Sequence, residues 1–505
     1  MRYLGENLVP GNIGHLLIII SFIASLVATI SYYKSFRSIN IADQQRWKQL
    51  GRIAFAIDAA AVVAVFLILY SLIANHSYEY NYVWKYSGND LEPKYIFSSL
   101  WSASEGSFLL WTVWHGVLGI ALMFTAKKWE GPVMMVISFA QLCLATMLIG
   151  LYINNVKIGS SPFALLRETG ALDNAPILQD VLVPGQLRHD YLTLIKDGNG
   201  LNLLLQNYWM VIHPPVLFLG FASTIVPFAF AIGGLVTGRH KEWIGQALPW
   251  ALFSAAILGI GIMMGAAWAY ESLSFGGYWA WDPVENASLV PWFVLVAGIH
   301  TLLIYKHTGR SLKATYLFFI LTFVLILYST FLTRSGILGD TSVHSFADLG
   351  MNTQLLLFLL IFFLPSLVLF FARYRSIPSI AKEEELSSRE FWMFIASLIF
   401  FITSVVIIVK TSVPVYNKIE KIFYPNAKGT APPADVEYWY NSIMVWVAVI
   451  LAVLTAITQY FKYKITTRSF FWKKIGLPTL ISAAITALLL FTFKIDYVKH
   501  GEGFH

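Results

Sequence analysis

The residues of this chain best suited to chemistry are one aromatic segment and three histidines. The segment contains Trp268-Ala269-Tyr270-Glu271, then Phe275-Gly276-Gly277-Tyr278-Trp279-Ala280-Trp281-Asp282-Pro283-Val284-Glu285-Asn286, and closes on Pro291-Trp292. Seven large aromatic rings and two adjacent glycines fall within 25 residues. Tryptophan and tyrosine at span ends usually anchor a membrane protein at the interface. An anchor needs no Gly-Gly pair, which lets backbone approach a partner closely, and no Trp-Asp-Pro followed by Glu-Asn. Broad ring faces beside such glycines suit a flat, apolar ligand of macrocycle size better than a sugar or an ion. The histidines are His213, followed by Pro214-Pro215; His344, in a loop rich in Gly, Ser and Asp; and His300, inside an apolar run.

The chain that must position these residues has 505 of them, 57% hydrophobic and 12% charged, with a mean hydropathy of +0.64. An ordinary soluble enzyme is excluded, and an all-α polytopic membrane protein is expected. Counting apolar runs of about 20 residues, the length that crosses the hydrocarbon as a helix, gives twelve spans. They lie near 14–33, 53–74, 107–126, 132–152, 216–236, 247–270, 289–305, 314–333, 353–372, 390–409, 441–460 and 475–493. The first lacks the basic cluster and small-residue cleavage site of a signal peptide and is read as a true span. The single Cys143 lies in an apolar run, which leaves no disulfide framework, no CxxC pair and no CxxCH haem-attachment motif.

Lys and Arg give the orientation. The short loops 34–52, 127–130, 237–246, 306–313, 373–389 and 461–474 hold 21 of the 35 basic residues. The other set, which includes the long segments 75–106, 153–215 and 410–440, holds the remaining 14. The positive-inside rule puts the first set in the cytoplasm and both termini outside. That also explains the net charge of +7 without nucleic acid. The large loops, and with them the function, face outward. His213 precedes span five and His344 follows span eight, so both emerge on the outer side, with the aromatic segment between them. No internal repeat or linker divides the chain, and residues 1–505 are expected to form a single integral membrane domain, with 271–292 as its aromatic ligand-binding segment.

Trp279-Ala280-Trp281-Asp282-Pro283 resembles the tryptophan-rich WWD signature of the haem-handling proteins of cytochrome c maturation. Its continuation, Val284-Glu285-Asn286-Ala287-Ser288 with Pro291-Trp292, resembles the CcmF-type haem lyase family and not the CcsA-type branch. Glu105-Gly106-Ser107, Trp111, His213-Pro214-Pro215 and Arg334-Ser335-Gly336 running on to Val343-His344 agree with it. The resemblance covers about residues 10 to 490, and departs where Phe275 and Tyr278 stand for the family's usual Trp. It implies covalent attachment of haem to CxxCH apocytochrome c at the outer, periplasmic face of a bacterial cytoplasmic membrane. It further implies a haem carrier, apocytochrome c with its thiol-reducing chaperone, quinol as electron source and membrane lipid as partners, and no nucleic acid.

The same resemblance assigns roles. His213 and His344 become axial ligands of the substrate haem. The surface around it is drawn from Trp268, Gly277, Tyr278, Trp279, Trp281, Asp282 and Trp292. Arg334 becomes the partner of a propionate, a pairing that suits guanidinium and carboxylate. The two prolines after His213 disfavour helix at the histidine and preset the first turn of the next span. His300, roughly 18 Å below the outer boundary at about 1.5 Å per residue, becomes a ligand of a resident haem b. The family takes the second axial histidine from a later span, but after His344 this sequence has only His500 and His505. A shortened chain or a complementing polypeptide is expected, with His115 as the substitute inside the spans. Glu105, Glu271, Asp282 and Glu285 either tune or orient the bound group, or cap helices or pair with Arg334. Asp58, an acid within span two, has no assigned role. No residue is expected to act as a dedicated catalytic base. The rival readings are a haem transporter, which calls for broken or polar helices at the midplane, and an electron-transferring b-type cytochrome, which calls for paired histidines within the spans.

Overall fold

The computed structural model describes residues 3–154, 156–180, 186–272, 277–339, 342, 350–380 and 385–493. Among them are 12 helices long and apolar enough to cross a membrane, as the apolar runs require. They are α1 Val9–Arg37, α2 Ile41–Ala74, α3 Ser104–Thr125, α4 Lys127–Ile149, α5 Tyr208–Thr237, α6 Ile244–Ser272, α7 Pro283–Thr308, α8 Leu312–Arg334, α9 Asn352–Arg373, α10 Arg389–Thr411, α11 Val436–Thr458 and α12 Arg468–Thr492. Several outrun the apolar stretch that announces them, because a cap lies beyond its edge. In α2 the Asn40 side chain accepts from the Ala42 amide at 2.9 Å, so the helix begins a full polar segment early. The protein is an all-α polytopic membrane protein. The sheet among the described residues is one small antiparallel hairpin, β1 Leu151–Ile153 with β2 Val156–Ile158.

The chain folds as two compact units, Met1–Trp292 with Phe319–Arg373, and Phe293–Phe318 with Tyr374–His505. In the first unit the buried face of α1 is mostly small residues, Gly11, Gly14, Ser21, Ala24, Ser25, Ala28, Ser31 and Ser35, with Ile18 and Tyr32 among them. Lipid is as apolar as leucine, so helices associate through close contact at small residues. Large rings fill the spaces: a Cβ on Gly14 would meet the Phe163 ring at 2.3 Å, and one on Gly119 the Phe55 ring at 2.1 Å. Asp58 of α2 is fully buried and bonded to its neighbours. It accepts from Ser21 Oγ of α1 at 2.5 Å and from Gln141 Nε2 of α4 at 3.1 Å, and that amide also reaches Thr112 O of α3 at 3.2 Å. A buried acid is thus used to fasten four helices. At the end bearing the basic loops, buried Glu130 takes Arg52 on both oxygens, at 2.6 and 2.7 Å, and Lys48 at 2.7 Å.

The opposite end of this unit carries the long loops. They have a small core of their own, Leu166, Leu172, Leu178 and Tyr191. Glu6 holds the N-terminal segment against it, accepting from Arg167 Nε at 3.0 Å and Tyr191 Oη at 2.8 Å. Asp197 joins two loops by accepting from the amides of Asn89 and Gly198, at 2.8 and 2.7 Å, and from Tyr78 Oη at 3.1 Å. The Asn89 amide above all holds its carboxyl below the ordinary range. In the second unit α10 packs on α11, and Arg310 pairs with buried Glu390 at 3.1 Å.

Candidate functional site

The site is built on the contact between α5 and α6. A Cβ on Gly220 would fall 2.7 Å from Leu258 Cα, and one on Gly261 2.9 Å from Leu217 Cα. The two backbones therefore touch, which side chains at those positions would forbid. One turn further along α6, Gly265 faces the imidazole of His213, where a Cβ would lie 3.0 Å from Cε1 and 3.5 Å from Nε2. Trp268 closes the same slot, its ring edge-on to the imidazole at 5.8 Å and 66°. The Trp268 indole N–H is buried and has no hydrogen-bond partner among the described residues.

His213 does not stand ahead of its span, as its prolines suggest. It lies in the second turn of α5, with Pro214 and Pro215 inside the helix. Asn207 caps the helix start, accepting from the Trp209 amide at 3.0 Å. A proline within a helix leaves the carbonyl four residues back without its N–H. For Pro214 that carbonyl belongs to Met210, and the indole N–H of Trp101 donates to it at 2.9 Å. Glu271, in the last turn of α6, accepts from Tyr208 Oη and Trp209 Nε1, both at 2.9 Å, and so ties the start of α5 to the end of α6.

The segment Trp281-Asp282-Pro283-Val284-Glu285-Asn286 is a helix start. Asp282 Oδ1 accepts from the Val284 amide at 2.8 Å, and Glu285 Oε2 reaches back to the amides of Asp282 and Ala280, at 3.0 and 3.1 Å. With Pro283 in the first helical position this is a reciprocal capping box. Asp282 and Glu285 both cap the start of α7. The box also holds Trp281 in the left-handed region, at φ +55°, with its carbonyl accepting from Asn286 Nδ2 at 2.9 Å. A non-glycine residue gives up about 1–2 kcal/mol there, so the cap sets where the indole goes. Asp282 Oδ1 also accepts from Ser342 Oγ at 2.8 Å.

The rings do not make one flat sheet. Trp279 and Trp281 stand at 89° with centroids 5.8 Å apart, and Tyr278 stacks on Tyr270 at 4.1 Å and 8°. Gly277 has φ +115° and open space where a Cβ would be, so backbone conformation and not close approach requires glycine. Trp292 packs between helices, donating to Ala255 O at 2.8 Å over Gly259. Arg334, the expected propionate partner, is buried at the head of α3. Its Nη1 donates to Ser104 Oγ at 3.3 Å, and Glu105, which accepts from Ser160 Oγ at 2.7 Å, acts electrostatically on its charge. Beside it, burial pushes the Tyr86 phenol up to about 12 and Tyr82 well above its usual range.

His344, Phe275, Gly276, His500 and His505 lie outside the described residues. In the second unit, His300 has Phe400 against its ring at 6.1 Å, and its Nδ1 is buried with no hydrogen-bond partner among the described residues. An imidazole in that state can present a nitrogen to iron. The Nδ1 of His115 in α3 is likewise buried, and its Nε2 accepts from Trp111 Nε1 at 3.1 Å. Sequence reasoning passed over Gly265, Trp101, Tyr208 and Trp209. The Trp101 contact had a signal in the orphaned carbonyl of Met210, whereas nothing local marks Gly265.

Residues 101–338 match the family model of the cytochrome C assembly protein. The CcmF cytochrome c-type biogenesis protein of Pseudomonas aeruginosa is 35% identical over 365 residues, 72% of this chain and 50% of that protein. The one from Escherichia coli K12 is 30% identical over 399 residues, 79% of this chain and 56% of that protein. Among solved structures, a cytochrome c heme lyase CcmF superposes with a TM-score of 0.71 over 99% of this chain and 68% of that one, at 20% identity, a likeness of fold. The chain spans about half the length of the curated relatives it matches. With the aromatic segment, His213 and Arg334 all inside the matched region, the chain belongs to the cytochrome c assembly family, on its CcmF-type branch.

Proposed function

We propose that this protein holds haem at the periplasmic face of a bacterial inner membrane and promotes its thioether attachment to CxxCH apocytochrome c. The observation that carries this reading is the slot at His213. A membrane protein has little reason to keep an imidazole between a glycine and a tryptophan edge, with the helix around it repaired at Met210, unless the ring must point one way. His213 takes one axial position of the substrate haem and His344 the other, with Trp268, Trp279 and Trp281 as ring contacts. Each cysteine sulfur of the apocytochrome adds across a vinyl group. A carbon–sulfur bond forms, the vinyl double bond becomes single, and the thiol proton ends on the neighbouring carbon. Proximity and orientation supply most of the acceleration, and no side chain is needed as base. His300 holds a resident haem b, which supplies one-electron reduction when bound. A carrier delivers the haem, a thiol-reducing chaperone delivers the apocytochrome, and quinol supplies the electrons.

Haem content of purified variants, with cytochrome c maturation in cells, tests the assignment. His213→Ala and His344→Ala should each lose the substrate haem and maturation while keeping the resident haem, and His300→Ala should lose the resident one. Undiminished maturation in both outer variants would refute the proposal.

A further inference from the structure

Immediately after α10 the chain forms a second helix, Val413–Phe423, with Ser412 at once the end of the first and the cap position of the second. Around its axis, at 3.6 residues per turn, Val415, Tyr416, Ile419, Ile422 and Phe423 fall on one arc, while Asn417, Lys418, Glu420 and Lys421 fall on the other. None of its residues is buried, and Ile422 and Phe423 are each 72% exposed. An apolar arc of this size left open in water is unfavourable, so something covers it.

The surrounding contacts give the depth at which the helix lies. At the end of α10, Lys410 Nζ sits over the Trp439 ring at 4.9 Å, and Thr411 Oγ1 meets Tyr440 Oη at 3.4 Å. Trp439 and Tyr440 belong to the first turn of α11, beside Tyr438. Aromatic and basic residues at the ends of two adjacent spans mark the level of lipid headgroups. The helix Val413–Phe423 begins one residue beyond that level. Its far end is folded back by Asn417, whose side chain donates to Thr430 O at 2.9 Å and accepts from the Thr430 amide at 2.7 Å, closing the loop through Gly429 over the polar arc. The apolar arc is left uncovered by this loop.

We infer that Val413–Phe423 is an interfacial helix that lies in the plane of the membrane, its apolar arc among acyl chains and Lys418 and Lys421 at the phosphates of anionic lipid. Short helices with one apolar and one basic face bind bilayer interfaces in this way. Its occupant is therefore lipid and not a protein partner. Such a helix fixes the height of α10 and α11 against sliding along the membrane normal.

Spin labels in the full chain test this. In a Cys143→Ser background, Ile422→Cys and Lys421→Cys are labelled with a nitroxide in nanodiscs of phosphatidylglycerol and phosphatidylcholine, and relaxation by oxygen is compared with relaxation by a water-soluble nickel chelate. The label at 422 should favour oxygen severalfold over the label at 421. Lys418→Glu with Ile422→Cys should lower that preference in phosphatidylglycerol and leave it unchanged in phosphatidylcholine. Equal nickel accessibility at 421 and 422 would mean that the helix stands in water. A label at 422 immobile and shielded from both reagents would mean that protein covers it. Either result overturns the inference.

Discussion

Replacing Gly265 by alanine tests the slot at His213 most directly. The new Cβ would stand 3.0 Å from Cε1 of the imidazole, 3.5 Å from Nε2 and 3.7 Å from Nδ1. Comfortable carbon contacts begin near about 3.5–4.0 Å, so the ring must retreat by at least half an ångström or tilt toward Trp268. Overpacking of this kind typically costs about 1–3 kcal/mol. If His213 is an axial ligand, that cost falls on haem binding and corresponds to roughly a 5- to 150-fold weaker Kd. Titration of the purified variant in nanodiscs with haem, read by the low-spin absorbance of a bis-imidazole complex, measures it. Gly245→Ala serves as control, since nothing lies within 4 Å of that position. In a His213→Ala background the alanine at 265 should make no further difference. A folded Gly265→Ala protein with the affinity of the unaltered chain would refute the slot, and with it the ligand assignment that rests on it.

Two other outcomes follow from the outer end of the first unit. Trp101→Phe removes the donor to Met210 O and should lower thermal stability by about 1–3 kcal/mol, the penalty of a buried unpaired carbonyl. In a Pro214→Ala background, where the residue-214 amide can bond that carbonyl, the cost should shrink, and equal costs in both backgrounds would count against the repair. Asp197, whose carboxyl is held below its ordinary range chiefly by the Asn89 amide, ties two loops. A depressed folded pKa contributes stability that is complete above the unfolded value near 3.8 and is lost as pH falls through the folded one. Hydrogen exchange at the amides of Asn89 and Gly198 should therefore accelerate only below about pH 4, and should already be fast at neutral pH in Asp197→Ala.

Much of the architecture was legible from residue pattern, because lipid leaves a helix few alternatives once about 20 apolar residues stand together. All twelve spans are found, and Asp58 has the interhelical bonds that a buried acid needs. The capping box was written in the order Asp282-Pro283-Val284-Glu285, and reading it as such would have shown the capping role of both acids. His213 was misplaced by one turn because the usual rule against proline in a helix has an exception, a donor from elsewhere in the fold, and Trp101 is more than a hundred residues away. The angle between Trp279 and Trp281 was not legible at all. Ring direction depends on φ at Trp281, which the cap sets through contacts that composition does not encode.

The glycine contact between α5 and α6 bears on how a hydrophobic cargo could travel. Where main chain rests on main chain at Gly220 and Gly261, no side chain can swing aside to open a gap. The seam is sealed along the stretch that leads up to His213. If His213 holds haem as proposed, a porphyrin dissolved in the bilayer would find no lateral doorway between these two helices at that seam, and would reach the imidazole by a route around the pair.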